Sequence, residues 1–386
     1  MKPCRLCGSD LLPSPVMRLD GMPLAAQYYP REDEFARDKG ITLIVYQCSG
    51  CGLVQLDAEP VGYFREVITA ASLSEKARSS RLERMKSFVS RFGLNGKQIL
   101  EVGCGQGAML DVLEQADLRA TGIEAGGESV SIGLAKGRNM INGYIGDVET
   151  IGGAPFDAFV SLNYLEHLPD PGRIIRKIHA LTSPEAAGYV TVPNLEYLLS
   201  TKCLYEFVAD HLSYYTRKTL AHAFESNGFD VVACETINED NDIEVLVRKR
   251  GALDVSPQFG EVEALLAELR RIIAERRSRG QKVAVWGAGH RTLALLSLGG
   301  LRDVAFVVDS AKFKQGLFTP VLHLEISSPE RLKMERIDLV IVMVPGLYPR
   351  EVTETLARMD VGAEVAVLRG NRIEFLPEFR KGSAAP

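Results

Sequence analysis

Gln98-Ile-Leu-Glu-Val-Gly-Cys-Gly-Gln-Gly-Ala-Met-Leu110 is the stretch on which the reading of the fold turns. Ile99, Leu100 and Val102 read as a short buried strand, and Gly103, Gly105 and Gly107 follow at once. The residues from Ala108 to Ala116 then look helical. Glycines in a strand-to-helix turn let the backbone approach a ligand closely, because no Cβ stands in the way. The turn also leaves free amide groups at the helix start. Taken alone, Gly-x-Gly-x-Gly fits a tight turn in any Rossmann-like fold.

Two acids sharpen the reading. Glu101 sits at the strand end, where a carboxylate would repel a pyrophosphate but accept a sulfonium and an amino group. Residues 120–124, Ala-Thr-Gly-Ile-Glu, read as a second strand whose terminal Glu124 has the spacing of a carboxylate that meets ribose hydroxyls. An acid, one residue, then Gly-x-Gly-x-Gly resembles motif I of the class I S-adenosylmethionine (SAM)-dependent methyltransferases. The resemblance implies that Glu101, Gly103, Gly105, Gly107 and Glu124 bind the cofactor.

A chain of 386 residues is long enough for two or three domains. Its net charge of −5 argues against general nucleic-acid binding. No apolar run reaches the roughly 18–20 residues of a membrane span, and the polar N-terminus is not a signal peptide. Seven cysteines favour a reducing compartment, so the cytoplasm is expected.

Four of those cysteines form two knuckles, Cys4-Arg-Leu-Cys7 and Cys48-Ser-Gly-Cys51, each followed by a glycine. This is the spacing of a tetrahedral zinc ribbon, and four thiolates leave no open position, so the zinc is expected to be structural. Redox-active cysteines are the alternative. Ile41 to Tyr46 reads as a strand leading into the second knuckle. From Val61 to about Gly93 the pattern becomes helical, with Leu82, Met85, Phe88 and Val89 on one stripe; the polar stretch 63–74 at its head suits a loop over a site.

Further along, Asp147 is placed to accept from an adenine amino group. Residues 156–162 read as a buried strand with Asn163, Glu166 and His167 at its carboxyl end, where ligands of open α/β sheets lie. That places Asn163 with the cofactor and makes His167 a catalytic candidate. Residues 188–193 read as a fifth strand. In residues 209–216, Ala-Asp-His-Leu-Ser-Tyr-Tyr-Thr, Asp210 and His211 are the best acid–base candidates, since a loop histidine titrates close to cellular pH; His211 bonding a neighbouring carbonyl is the structural alternative. Ser213 and Thr216 are candidate caps for a helix over 217–227, and an antiparallel pair at 228–234 and 242–247 closes the fold.

After a linker near 251–260 and a charged helix over 261–279, a second Rossmann-like unit follows. Its strand 282–286 leads to Gly287-Ala-Gly-His-Arg291, which lacks the third glycine of the dinucleotide fingerprint. His290, Arg291, Lys312 and Lys314 would suit a phosphate or diphosphate.

Zinc ribbon (1–60), SAM-binding domain with its linking helix (61–250) and C-terminal Rossmann-like domain (251–386) together resemble the nucleotide-sugar C-methyltransferases of deoxysugar biosynthesis. The resemblance rests on the four cysteines, Glu101 to Gly107, His211-Leu-Ser-Tyr-Tyr-Thr216, and Asp309 with residues 314–320. It implies an α/β fold with SAM and zinc as cofactors and a nucleotide-linked 4-keto sugar as the small-molecule partner. It further implies that Asp210 and His211 abstract the C3 proton, that the enolate takes the methyl group, and that Tyr214 and Tyr215 contact substrate. Departures fall on substrate-facing stretches: Asp210 where the family has Glu, Val208 where it has Tyr, and residues 68–72 without tyrosines. O- or N-methylation of a sugar nucleotide or other anionic small molecule, and a non-catalytic SAM- or nucleotide-binding module, are the alternatives; a C-terminal oxidoreductase fits the incomplete glycine turn less well.

Overall fold

The computed structural model describes residues 2–26, 29–66 and 74–379, so most of the polar stretch expected over the site, 67–73, lies outside the described residues. Two compact units divide the chain, Met1–Ala252 and Leu253–Pro386. In the first, the strands are β1 (Met17–Met22), β2 (Ile41–Gln47), β3 (Val54–Leu56), β4 (Gln98–Val102), β5 (Arg119–Glu124), β6 (Met140–Asn142), β7 (Phe156–Leu162), β8 (Thr182–Pro193), β9 (Ser213–Tyr214), β10 (Phe229–Ile237) and β11 (Asp242–Lys249). Its helices are α1 (Glu75–Phe92), α2 (Leu110–Gln115), α3 (Gly127–Ala135), α4 (Pro171–Leu181), α5 (Leu195–Thr201) and α6 (Arg217–Glu225).

Seven strands form the central sheet in the order β6-β5-β4-β7-β8-β11-β10. β4 to β8 run parallel, whereas β11 is antiparallel to β8 and β10 to β11. β4 pairs with β5 on one side and β7 on the other, so the strand order reverses there and opens a crevice at the carboxyl ends. The parallel strands are buried on both faces, which is why they read as continuous apolar runs. Gly188 of β8 has a packing reason: a Cβ there would come within 2.2 Å of the Phe159 ring, which tilts against Phe229 at 5.4 Å.

Local signals set the helices. Ser74 accepts from the Ala77 amide to start α1; Met85, Phe88 and Val89 bury its inner stripe; Gly93, at φ +66°, ends it. Asp170 caps α4 with Pro171 in its first turn. Thr216 caps α6 through Thr219. Ser213 does not; it lies in β9, and this corrects the expectation that it caps the helix.

The N-terminal region forms a four-stranded antiparallel sheet, β1-β2-β3-β9. Its last strand comes from far along the chain: Val54 pairs with Tyr214 and Gln55 with Ser213. The segment that carries Asp210 and His211 is therefore stitched to the cysteine-bearing sheet.

The second unit begins with α7 (Ser256–Ser278), earlier than the linker reading expected, because Pro257 is tolerated in a first helical turn, where the amide it lacks would have no intrahelical partner. It continues with β12 (Val283–Trp286), α8 (His290–Gly299), β13 (Val307–Val308), β14 (Ile326–Ser327), α9 (Arg331–Met334), β15 (Leu339–Val342), α10 (Tyr348–Met359), β16 (Glu364–Arg369) and β17 (Arg372–Phe375). Sheet order β14-β13-β12-β15-β16-β17, parallel except for β17, is a Rossmann-like half-turned pattern around β12. Among the described residues, no helix is long and apolar enough to cross a membrane.

Candidate functional site

Three glycines make the turn after β4 with positive φ, +74° at Gly103, +53° at Gly105 and +79° at Gly107. A Cβ on Gly103 would also come within 2.5 Å of the Tyr164 ring. Glu124, buried at the end of β5, ties the turn down: its carboxylate accepts from the Gly105 and Gly126 amides at 2.9 Å each.

Glu101 is fully buried beside the same turn, and its Oε2 has no hydrogen-bond partner. Burial pushes its pKa up to about 8; Glu124 adds to the rise, and Arg81 and Arg138 oppose it. An orphaned carboxyl at the carboxyl edge of the sheet, next to a cradle of glycines, fits a ligand that brings an ammonium group. The SAM amino acid is such a ligand, and the residues that would hold it are the Gly103–Gly107 turn, Glu101 and Glu124.

Asp147 is half exposed and paired with Arg65 at 2.9 Å, and the Arg65 guanidinium lies 4.5 Å over the Tyr144 ring. Asn163, at φ +47°, accepts from Thr191 Oγ1 at 2.9 Å and donates to Asp242 at 3.3 Å, so its side chain serves a polar network. That network lines a cleft of about 310 Å³ together with Ser80, Arg81 and Arg84 of α1. Sequence reasoning missed these arginines; their signal was two cations three apart on the edge of an apolar stripe.

The candidate acid–base groups come together. His167 is buried, and its Nδ1 donates to the Asp210 carbonyl at 2.9 Å. Its ring meets the half-buried His211 ring edge-on, centroids 4.8 Å apart. Burial, with His167 adding to it, depresses the His211 pKa to about 3, so the imidazole is neutral and able to accept a proton. Asp210 is buried and faces elsewhere: its carboxylate accepts from the Tyr63 hydroxyl and the Ala26 amide, both at 2.6 Å. Tyr63, at the head of the loop, is a further residue the sequence did not single out.

Two substrate assignments are corrected. Tyr214 and Tyr215 are core residues: Tyr214 stacks on Phe207 at 4.1 Å with its hydroxyl bonded to Val208, and Tyr215 is wholly buried. Tyr214, in β9, packs into the cluster with Leu43, Val45 and Leu56, and Tyr215, just past β9, packs into the cluster that holds Phe224 and Phe229. In the second unit, Asp309 accepts from the Ala288 and Ala311 amides at 2.8 Å, much as Glu124 does in the first. Lys314 is held by that carboxylate at 3.0 Å and by the Ala288 carbonyl at 3.1 Å. Arg291 donates to the Gly370 carbonyl at 2.7 Å, and His290 stands exposed at the start of α8.

The four cysteines converge, Cys4 Sγ to Cys51 Sγ at 3.6 Å and Cys7 Sγ to Cys48 Sγ at 3.5 Å. A zinc tetrahedron with bonds of about 2.3 Å has edges of about 3.8 Å, so the group fits the metal. Cys48 Sγ also accepts from the Gly50 and Cys51 amides, as a thiolate ligand does in a knuckle.

This strand order, glycine turn and pair of acids define a class I SAM-dependent methyltransferase. Family models match in three blocks: "Putative zinc binding domain" over residues 4–60, "Methyltransferase domain" over 76–234 and "C-methyltransferase C-terminal domain" over 254–367. The chain is 27% identical to C-methyltransferase NovU of Streptomyces niveus over 370 residues, 85% of this chain and 86% of the relative. The ubiquinone biosynthesis O-methyltransferase of Pseudomonas aeruginosa is 30% identical over 112 residues, 27% of this chain and 47% of the relative. Magnesium protoporphyrin IX methyltransferase of Synechocystis PCC 6803, solved with bound S-adenosylhomocysteine, aligns at 13% identity with a TM-score of 0.38, over 47% of this chain and 90% of that one. The three matches follow one another in the order zinc-binding domain, methyltransferase domain and C-methyltransferase C-terminal domain, so the chain is a SAM-dependent methyltransferase similar along its length to C-methyltransferases.

Proposed function

We propose that the acceptor is a carbon next to the ketone of a nucleotide-linked deoxysugar, and that His211 removes its proton. SAM, when bound, supplies an electrophilic methyl group on a sulfonium. Methyl transfer from it needs alignment and exclusion of water more than acid catalysis. The harder task is to make the carbon nucleophile, and that calls for a base held in its neutral form.

The observation that carries this reading is the half-buried His211 imidazole set edge-on against His167, which is itself bonded to the Asp210 carbonyl; burial lowers the His211 pKa and favours its neutral form. Burial that keeps His211 neutral also makes it a weak base for an isolated proton. The imidazolium it forms is favoured by the Asp210 charge and by the enolate it has just created, an ion pair inside a poorly solvated site. Tyr63 and the Ala26 amide hold Asp210. The carbon acceptor is supported by the C-methyltransferase named among its relatives, and the nucleotide-sugar class by the resemblance of the full three-domain order.

Hydrogen exchange tests the base apart from the methyl transfer. A nucleotide-linked 4-keto sugar in D2O without SAM should wash in deuterium at C3 with the wild-type protein and not with His211→Asn. With SAM present, the product should carry a C-methyl signal in NMR. An O-methyl or N-methyl signal instead would reject the carbon acceptor.

A further inference from the structure

We propose that Glu166, His167 and His211 form a second metal site, for a divalent transition ion such as zinc, cobalt or nickel, separate from the four-cysteine centre. One ligand atom from each of the three lies within 4.8 Å of the others, with His167 Nε2 and Glu166 Oε1 3.9 Å apart. Ion-to-ligand bonds of about 2.0–2.1 Å place tetrahedral neighbours about 3.3 Å apart, so the side chains close inward by about 1.5 Å at most.

Two independent features point to a ligand here. Glu166 Oε2 is buried without a hydrogen-bond partner, and buried acceptors are nearly always paired. His167 Nδ1 donates to the Asp210 carbonyl, which fixes the tautomer and leaves the lone pair on Nε2, 3.9 Å from Glu166 Oε1. A backbone carbonyl behind a histidine is the usual support of a ligating imidazole. Two imidazoles and one carboxylate select zinc, cobalt or nickel over magnesium or calcium. His211, half exposed, gives the ion an entry path.

The consequence rests on the base reading of His211: an ion that takes its lone pair stops proton abstraction, so the site makes the enzyme sensitive to free transition metal.

Zinc-loaded wild-type protein titrated with Co2+ tests the site. One further equivalent should bind with weak visible bands and no thiolate-to-cobalt charge transfer. Glu166→Gln, which keeps shape, and His211→Asn should each weaken that binding about tenfold or more while the zinc content of the cysteine site stays the same. No additional equivalent in the wild type would overturn the site, as would binding unchanged in both variants. Turnover should fall in step with Co2+ occupancy. Full turnover at saturating Co2+ would keep the site and strike out His211 as base, so the two readings fail separately.

Discussion

Asp210 and Tyr63 are joined hydroxyl to carboxylate at 2.6 Å although 147 positions separate them. The bond anchors the start of the loop before α1 to the residue that precedes His211. Tyr63→Phe removes the donor and leaves a buried carboxylate oxygen short of a partner, which costs about 1–3 kcal/mol. We expect a lower urea midpoint and a turnover reduced about tenfold, with SAM affinity unchanged by calorimetry. Unchanged turnover would show that the Asp210 carboxylate does not bear on the base.

Glu101 gives a pH dependence whose sign follows from its environment. Its folded pKa of about 8 lies above the ordinary carboxylate value, through burial first and Glu124 second, against Arg81 and Arg138. Near pH 7 the free protein therefore holds a proton there, while an arriving ammonium favours the carboxylate. SAM binding should release a proton, and affinity should rise with pH up to about 8 and then level off. The same shift means that the stability this group contributes is fully present below the unfolded pKa and is lost as pH rises through about 8, unless SAM is bound. Calorimetry in two buffers of different ionisation enthalpy reads the proton directly; in Glu101→Gln the release should vanish and affinity should drop at every pH.

Gly103 is constrained twice, by a φ of +74° and by the Tyr164 ring 2.5 Å from where a Cβ would sit. Gly103→Ala has to strain the backbone and displace the ring, a loss of about 1–3 kcal/mol for the strained residue alone. SAM binding should weaken more than tenfold by calorimetry, because the turn that carries the cofactor amides moves. The same substitution at Gly137, where a Cβ would meet nothing, shares the positive φ and should lower stability without touching SAM affinity.

How much of this was legible depends on whether a feature is local. The glycine turn and the two cysteine knuckles are short-range patterns forced by backbone conformation, at Gly103 and at Gly8 and Gly52 with φ of +75° and +79°. The buried parallel strands announce themselves by composition. The pairing of β3 with β9 and the bond from Tyr63 to Asp210 join distant residues, and no spacing encodes them. A two-residue strand, Ser213–Tyr214, gives no periodicity from which to tell that Tyr214 and the Tyr215 after it are buried. Lys314 reads as a free cation in sequence, yet the fold brings it onto Asp309.

Metal removal tests the coupling between the cysteine centre and the acid–base pair. Arg5, within the first knuckle, donates to the carbonyls of Leu56, Ala58 and Pro169, and its own amide donates to Gln55 at 2.8 Å. Gln55 lies in β3, opposite Ser213 of β9. Zinc therefore holds Arg5 and Gln55, which hold the strand next to His211, while the glycine turn and Glu101 belong to a different sheet. Binding free energy at a structural zinc is folding free energy for the segment it closes. Chelation, or Cys48→Ser, should reduce turnover about tenfold or more, the loss typical when outer support of a site is removed, while SAM affinity by calorimetry is little changed. Loss of SAM binding in parallel with turnover would mean instead that the cysteine sheet supports the whole unit.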